Sequence, residues 1–192
     1  MTRAIEHLYA IIDDEATDDP MALCARALDK GCVAIQLRAK QLDDDALVAL
    51  AEPMAVACRA ASTPFFVNDR PDIAVLVGAT GVHLGQDDMA PSEARAFAGN
   101  LEIGVSTHNL GQALEADDAP VDWIAVGPIF RTQSKRNPDP VVGLDGLRRI
   151  CVEVRRPVIA IGGITQGNWG EVIDAGATQV AVISALPDFL AL

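Results

Sequence analysis

The chain has few aromatic residues: two Trp, one Tyr and five Phe, 4% of 192 positions. Hydrophobic residues nevertheless make up 50%, so a core large enough for one domain has to be built from Ala, Val, Leu and Ile. Aliphatic runs of that kind suit parallel strands covered by helices on the outside. Positive charge is also short. Fifteen Lys and Arg face 27 Asp and Glu, a formal net charge of −12. Such a surface repels nucleic acid and anionic membranes, and an anionic ligand has to be held by a local group of cations or by a metal. The four cysteines, Cys24, Cys32, Cys58 and Cys151, include no CxxC pair and no histidine at zinc-finger spacing. They are expected as reduced thiols packed in helices and strands, without a catalytic role, which fits a cytoplasmic protein. The apolar stretch near the N-terminus is too short for a signal peptide or a membrane span.

What is present is a rhythm. Short apolar runs at 7–13, 32–37, 64–67, 81–84, 102–105, 123–126, 157–161 and 179–183 alternate with Ala-rich stretches of helical spacing. Asp43 and Ser92 are read as helix starts, Gly31 and Gly176 as stops. No composition break marks a linker. Eight β/α units predict an α/β fold, a (β/α)8 TIM barrel formed by residues 1–192 as a single domain; an open doubly wound sheet is the alternative. One connection, 127–143 (GPIFRTQSKRNPDPVVG), is long enough to be expected as a functional lid.

In such a barrel the C-terminal strand ends meet at one rim, where active sites lie. The polar residues fall there. The second run leads into Gln36, Leu37, Arg38, Ala39 and Lys40, and the third into Asn68 and Asp69. The fourth leads to Asp88, the fifth to Ser106 and His108, and the sixth to Thr132, Gln133, Ser134 and Lys135. The seventh ends at Gly162-Gly163 and the eighth at Ile183-Ser184. Asp69 and Asp88 come from adjacent strands. Two close carboxylates repel unless one is protonated or a cation lies between them. With Arg38, Lys40 and Lys135 beside them, the set points to Mg²⁺ bound together with a phosphate or diphosphate. The glycine pair and the turn after the last strand suggest a second phosphate site built from backbone N–H groups. Each motif alone has a plainer reading. Arg38 could form a surface ion pair, Asn68 could cap a helix, and the acidic turn at 86–88 could be solvated. His83 reads as an interior histidine, and His108 is better placed for chemistry. Asp43-Asp44-Asp45 reads as a helix start on a solvated face.

The ordered set QLRAK, NDR, GVHLGQDD, IGVSTH, GPIF-x-T-x-S-K, AIGGI and VAVISA resembles the thiamine-phosphate synthase (thiamine-phosphate pyrophosphorylase) family over nearly the whole chain. The resemblance implies a (β/α)8 transferase of thiamine biosynthesis. It would join 4-amino-2-methyl-5-(diphosphooxymethyl)pyrimidine to thiazole phosphate, or its carboxylated tautomer, releasing diphosphate by a dissociative route through a pyrimidine cation. It implies Asp69 and Asp88 as Mg²⁺ ligands and Arg38, Lys40, Ser106 and Lys135 as catalytic. Gln36, Leu37, Arg38, Ala39, Lys40, Asn68, Ser106 and Lys135 would bind the pyrimidine diphosphate. Thr132, Gln133 and Ser134 would bind the thiazole phosphate with Gly163, Ile183 and Ser184. Two positions depart from the family pattern: Arg131 stands where Pro is usual, and Ser134 where Thr is frequent. Two other readings stay open. One is the related thiazole tautomerase, with His108 as base and no need for Mg²⁺. The other is a non-catalytic barrel that binds phosphate ligands. Oligomeric state is left open.

Overall fold

A computed structural model describes residues 5–132 and 139–191. Eight parallel strands pair in chain order: β1 (Leu8–Asp13), β2 (Ala34–Arg38), β3 (Phe65–Asn68), β4 (Gly81–Leu84), β5 (Glu102–Thr107), β6 (Trp123–Val126), β7 (Val158–Ile161) and β8 (Gln179–Val182). β8 pairs back onto β1, with Val180 opposite Leu8 and Val182 opposite Ala10. That pairing closes the sheet and excludes the open doubly wound alternative. The connecting helices are α1 (Pro20–Lys30), α2 (Asp44–Ala60), α3 (Pro71–Leu76), α4 (Pro91–Ala98), α5 (Leu110–Asp118), α6 (Gly143–Glu153), α7 (Trp169–Asp174) and α8 (Leu186–Leu190). No helix among the described residues is long and apolar enough to cross a membrane.

Strand side chains alternate between two packed layers. Leu8, Ala10, Ile12, Ile35, Leu37, Val67, Val82, Ile103, Val105, Ile124 and Val180 join the helices in the large outer core. Tyr9, Ile11, Ala34, Phe66, Trp123, Ala125, Ile159 and Ala181 fill the barrel interior. Three of the few aromatics therefore sit together. Tyr9 lies 5.6 Å from Phe66 and 5.5 Å from Trp123 between ring centroids, and Phe66 meets Trp123 edge-on at 5.7 Å. Gly104 makes room for them, since a Cβ there would lie 2.1 Å from Trp123 Cζ2.

The helix ends follow local chemistry. The Asp43 carboxylate accepts from Ala46 N–H and starts α2, as expected for an N-cap. Gly31 ends α1 in the left-handed conformation at φ 79°, and Gly176, at φ 108°, lies just past α7. Ser92 is not a helix start. α4 begins at Pro91 after Ala90, because a proline at the first helical position is already set at the helical φ and has no N–H to leave unpaired.

Candidate active site

The strand register delivers the polar residues to one end of the barrel. Asp13 on β1 is the register partner of Arg38 on β2, and the Arg38 guanidinium donates to the Asp13 carboxylate. Gln36, one interior position below Arg38, is buried and donates through Nε2 to Asn68 Oδ1 at 2.7 Å. Asn68 therefore binds Gln36 on the adjacent strand and does not cap α3, which begins after Arg70. Leu37, on the opposite face of β2, is fully buried in the outer core, so a ligand can meet only its main chain. Ala39 packs against the same layer.

Asp69 follows β3 in the left-handed conformation at φ 64°, which Asp tolerates better than most residues. Its N–H donates to His83 O at 2.8 Å. This turn aims the carboxylate at Lys40, whose Nζ lies 2.8 Å from Asp69 Oδ2. Asp88 folds back beneath its own turn, where Oδ2 accepts from Gly85 N–H at 2.6 Å. Burial raises the Asp69 pKa, and the neighbouring Asp88 carboxylate adds to the rise against the opposing pull of Lys40. The two carboxylates are thus neighbours, and Asp88 disfavours ionisation of Asp69. Among the described residues no third His, Cys, Asp or Glu completes a metal cluster.

The ends of β5 to β8 enclose a cavity of about 150 Å³ lined by Ser106, His108, Thr132, Gly163, Ile183 and Ser184 among others. Gly163 takes φ 66°, and a Cβ there would lie 2.6 Å from Arg131 O. The Gly163 carbonyl accepts from Asn168 Nδ2 at 3.1 Å, and Asn168 Oδ1 accepts from Thr165 N–H at 2.7 Å. The glycine loop is thereby tied to the start of α7. His108 Nδ1 lies 2.6 Å from Gly127 O. A carbonyl can only accept, so Nδ1 carries the hydrogen. The other ring nitrogen, Nε2, lies 3.4 Å from Asp139 Oδ2.

The structure therefore brings Gln36, Arg38, Lys40, Asn68, Asp69, Asp88, Ser106, Thr132, Gly163, Ile183 and Ser184 to one rim. Gln133, Ser134 and Lys135 lie outside the described residues. Asp13 is the residue that sequence reasoning missed. It ends the first apolar run as a carboxylate, the signal already used for Asp69. The cysteines stand apart: Cys24, Cys32 and Cys58 are buried, Cys151 is half-buried, and all are free. Burial pushes the Cys32 and Cys151 thiols up to about 11, which leaves them poor nucleophiles.

Known proteins resemble this chain in sequence and in fold. A family model described as thiamine monophosphate synthase matches residues 8–186. A thiamine-phosphate synthase of Koribacter versatilis is 44% identical over 189 residues, covering 95% of this chain and 89% of that one. One from Methanoregula boonei is 46% identical, covering 84% and 76%. The solved thiamine phosphate pyrophosphorylase of Pyrococcus furiosus superposes with a TM-score of 0.86 at 33% identity, covering 100% of this chain and 98% of that one. Matches of this extent, on a closed barrel with its polar residues gathered at the C-terminal rim, make the chain an enzyme of the thiamine monophosphate synthase family.

Proposed function

We propose that this enzyme joins 4-amino-2-methyl-5-(diphosphooxymethyl)pyrimidine to thiazole phosphate, or to its carboxylated tautomer, giving thiamine phosphate and diphosphate. The observation that carries the reading is the Asp69–Asp88 pair with Lys40 on Asp69, and Arg38 held on Asp13, at the same rim as the glycine-lined cavity. One half suits a metal with a diphosphate, the other a smaller phosphate ester.

The donors fit Mg²⁺. Two hard carboxylate oxygens from Asp69 and Asp88 would hold it, leaving its other positions to water and diphosphate oxygens. A cation there would also relieve the repulsion that raises the Asp69 pKa. Bound between the pair, Mg²⁺ would supply Lewis-acid stabilisation of negative charge on the departing diphosphate.

The remaining roles belong to the chain. Arg38 and Lys40 offer fixed positive charge where diphosphate leaves. Charge grows on those oxygens in a dissociative transition state, so the two cations stabilise it more than the ground state. Lys135 is assigned the same role from its motif. Gln36 and Asn68, locked together at 2.7 Å, present a fixed polar edge to the pyrimidine, and Ser106 lies on the neighbouring wall. Gly163, Ile183 and Ser184, with Thr132, Gln133 and Ser134, hold the thiazole phosphate beside the carbon from which diphosphate departs. The thiazole nitrogen attacks with its own lone pair, so no enzyme nucleophile or strong base is needed.

One observation favours a second reading. His108 lines the cavity with its Nε2 at 3.4 Å from Asp139, a geometry suited to moving a proton on a thiazole. A tautomerase of this kind would need neither Asp88 nor Mg²⁺. The deciding experiment mixes the protein with both substrates, with and without Mg²⁺, and follows diphosphate and thiamine phosphate. Mg²⁺-dependent release that requires both substrates supports the synthase. Isomerisation of the thiazole carboxylate phosphate without Mg²⁺, and no diphosphate release, overturns it in favour of the tautomerase. Binding of both substrates with no turnover leaves the non-catalytic barrel.

A further inference from the structure

His83 lies inside β4, buried as an interior histidine, yet its contacts lead to the site. Its Nε2 is 2.8 Å from Ser106 Oγ on the adjacent strand. Its ring stacks on Trp123 with centroids 5.0 Å apart and planes 10° from parallel. Trp123 is itself wedged between Tyr9 and Phe66 at 5.5 and 5.7 Å and seated over Gly104, where no side chain could fit. The imidazole plane is thus set by a packed aromatic layer. A serine hydroxyl alone would turn among staggered rotamers; the bond to Nε2 selects one. The Ser106 main-chain oxygen is also held, accepting from Gln86 Nε2 at 2.6 Å.

We propose that His83 is a positioning residue: it accepts the Ser106 hydroxyl hydrogen and so turns the Oγ lone pairs toward the pyrimidine. This rests on the synthase reading and on the place of Ser106 in the pyrimidine site. The chemical reason is the sign of the developing charge. A ring losing diphosphate becomes electron-poor, and an oxygen whose hydrogen is engaged elsewhere offers it lone pairs. With the bond reversed, the hydroxyl hydrogen would face the cation. Gly104, Trp123, His83 and Ser106 form one chain of contacts from the barrel interior to the reacting ring.

The test is a double-mutant cycle with Ser106→Ala, His83→Leu and both together, supported by His83→Gln and His83→Asn. Gln can place its amide oxygen near the position of Nε2, whereas Asn is too short. Expected are losses of turnover of similar size, on the order of 10-fold or more, for Ser106→Ala and His83→Leu, with no further loss in the double variant because the two act as a unit. KM for thiazole phosphate stays within about 2-fold, since only the pyrimidine wall is touched. His83→Gln recovers most of the activity and His83→Asn does not. Losses that multiply in the double variant overturn the inference, as does wild-type turnover in His83→Leu beside an impaired Ser106→Ala. Wild-type turnover in Ser106→Ala overturns the role of Ser106 and the inference with it. Should His83→Leu fail to fold, equal activity of the Gln and Asn variants overturns the inference by itself.

Discussion

Lys40 Nζ stands 2.8 Å from Asp69 Oδ2, a single cation set against a carboxylate whose pKa is raised by burial and by Asp88. Lys40 thus offsets only part of what burial and Asp88 impose on Asp69.

Asp88→Asn tests that imbalance. Losing one metal oxygen is expected to lower turnover by at least about 10²-fold at saturating Mg²⁺. Removing a like charge from beside Asp69 is expected to raise the melting temperature of the metal-free protein, because the repulsion is gone. Thermal melts in chelator and steady-state rates in Mg²⁺ check both halves. Near-wild-type activity in the variant would refute the metal assignment.

Gly104→Ala is expected to fail for a packing reason. The new methyl group would stand 2.1 Å from Trp123 Cζ2, a ring confined by Tyr9 and Phe66. Overpacking of this kind costs about 1–3 kcal/mol, measurable by urea unfolding. Turnover should fall as well, since the Trp123 ring orients His83. An unchanged unfolding midpoint would show that the aromatic layer yields more easily than its packing implies.

Gly163→Ala separates the two substrates. Its φ of 66° is left-handed, and its Cβ would press on Arg131 O at 2.6 Å and Phe130 Cβ at 2.8 Å. KM for thiazole phosphate is expected to rise by about tenfold, equivalent to ~1.4 kcal/mol. KM for the pyrimidine diphosphate should hold within about 2-fold, because that site lies across the rim. Equal rises in both would place Gly163 in general loop stability.

Asp117 gives a pH dependence away from the site. It is buried, which by itself raises its pKa, but Arg155 Nε at 2.8 Å and the N–H groups of Arg155 and Arg156, both at 2.9 Å, outweigh burial and leave it lowered. A carboxylate lowered on folding contributes stability that is present above its unfolded pKa, about 3.9, and lost as pH falls through its folded value. Asp117→Ala leaves two backbone donors unpaired and is expected to cost about 1–3 kcal/mol at neutral pH. Denaturant melts from neutral pH to pH 3 should show the gap between variant and wild type closing as the pH drops. A constant gap would contradict the ionic origin of the contribution.

The strands were legible because each is a short aliphatic run closed by polar or Gly-containing turns. The runs at 81–84 and 123–126 coincide with β4 and β6, and the others differ at their ends by up to two residues. The candidate site was legible as a grouping of residues through position, since polar residues placed after strands converge in a barrel. Pairings were not. Nothing local in the chain joins Asp13 to Arg38, which meet through β1–β2 register. His83 looked like interior packing because its own strand is apolar; its partner Ser106 lies 23 positions away. Ser92 misled because a helix-starting side chain carries no sign of the proline before it having already set the first turn.

Composition and order of the residues by themselves determined an α/β chain of eight repeating units, an acidic balance of charge, and the rim on which the polar residues gather. Those properties depend on how often a residue type recurs and which residues succeed it, and both can be read along one dimension. Barrel closure, the raised Asp69 carboxylate and the layer that fixes His83 against Ser106 were decided only in three dimensions. Each arises from contacts between residues far apart in the chain, and an ionisation or a ring orientation is set by whatever the fold packs beside it.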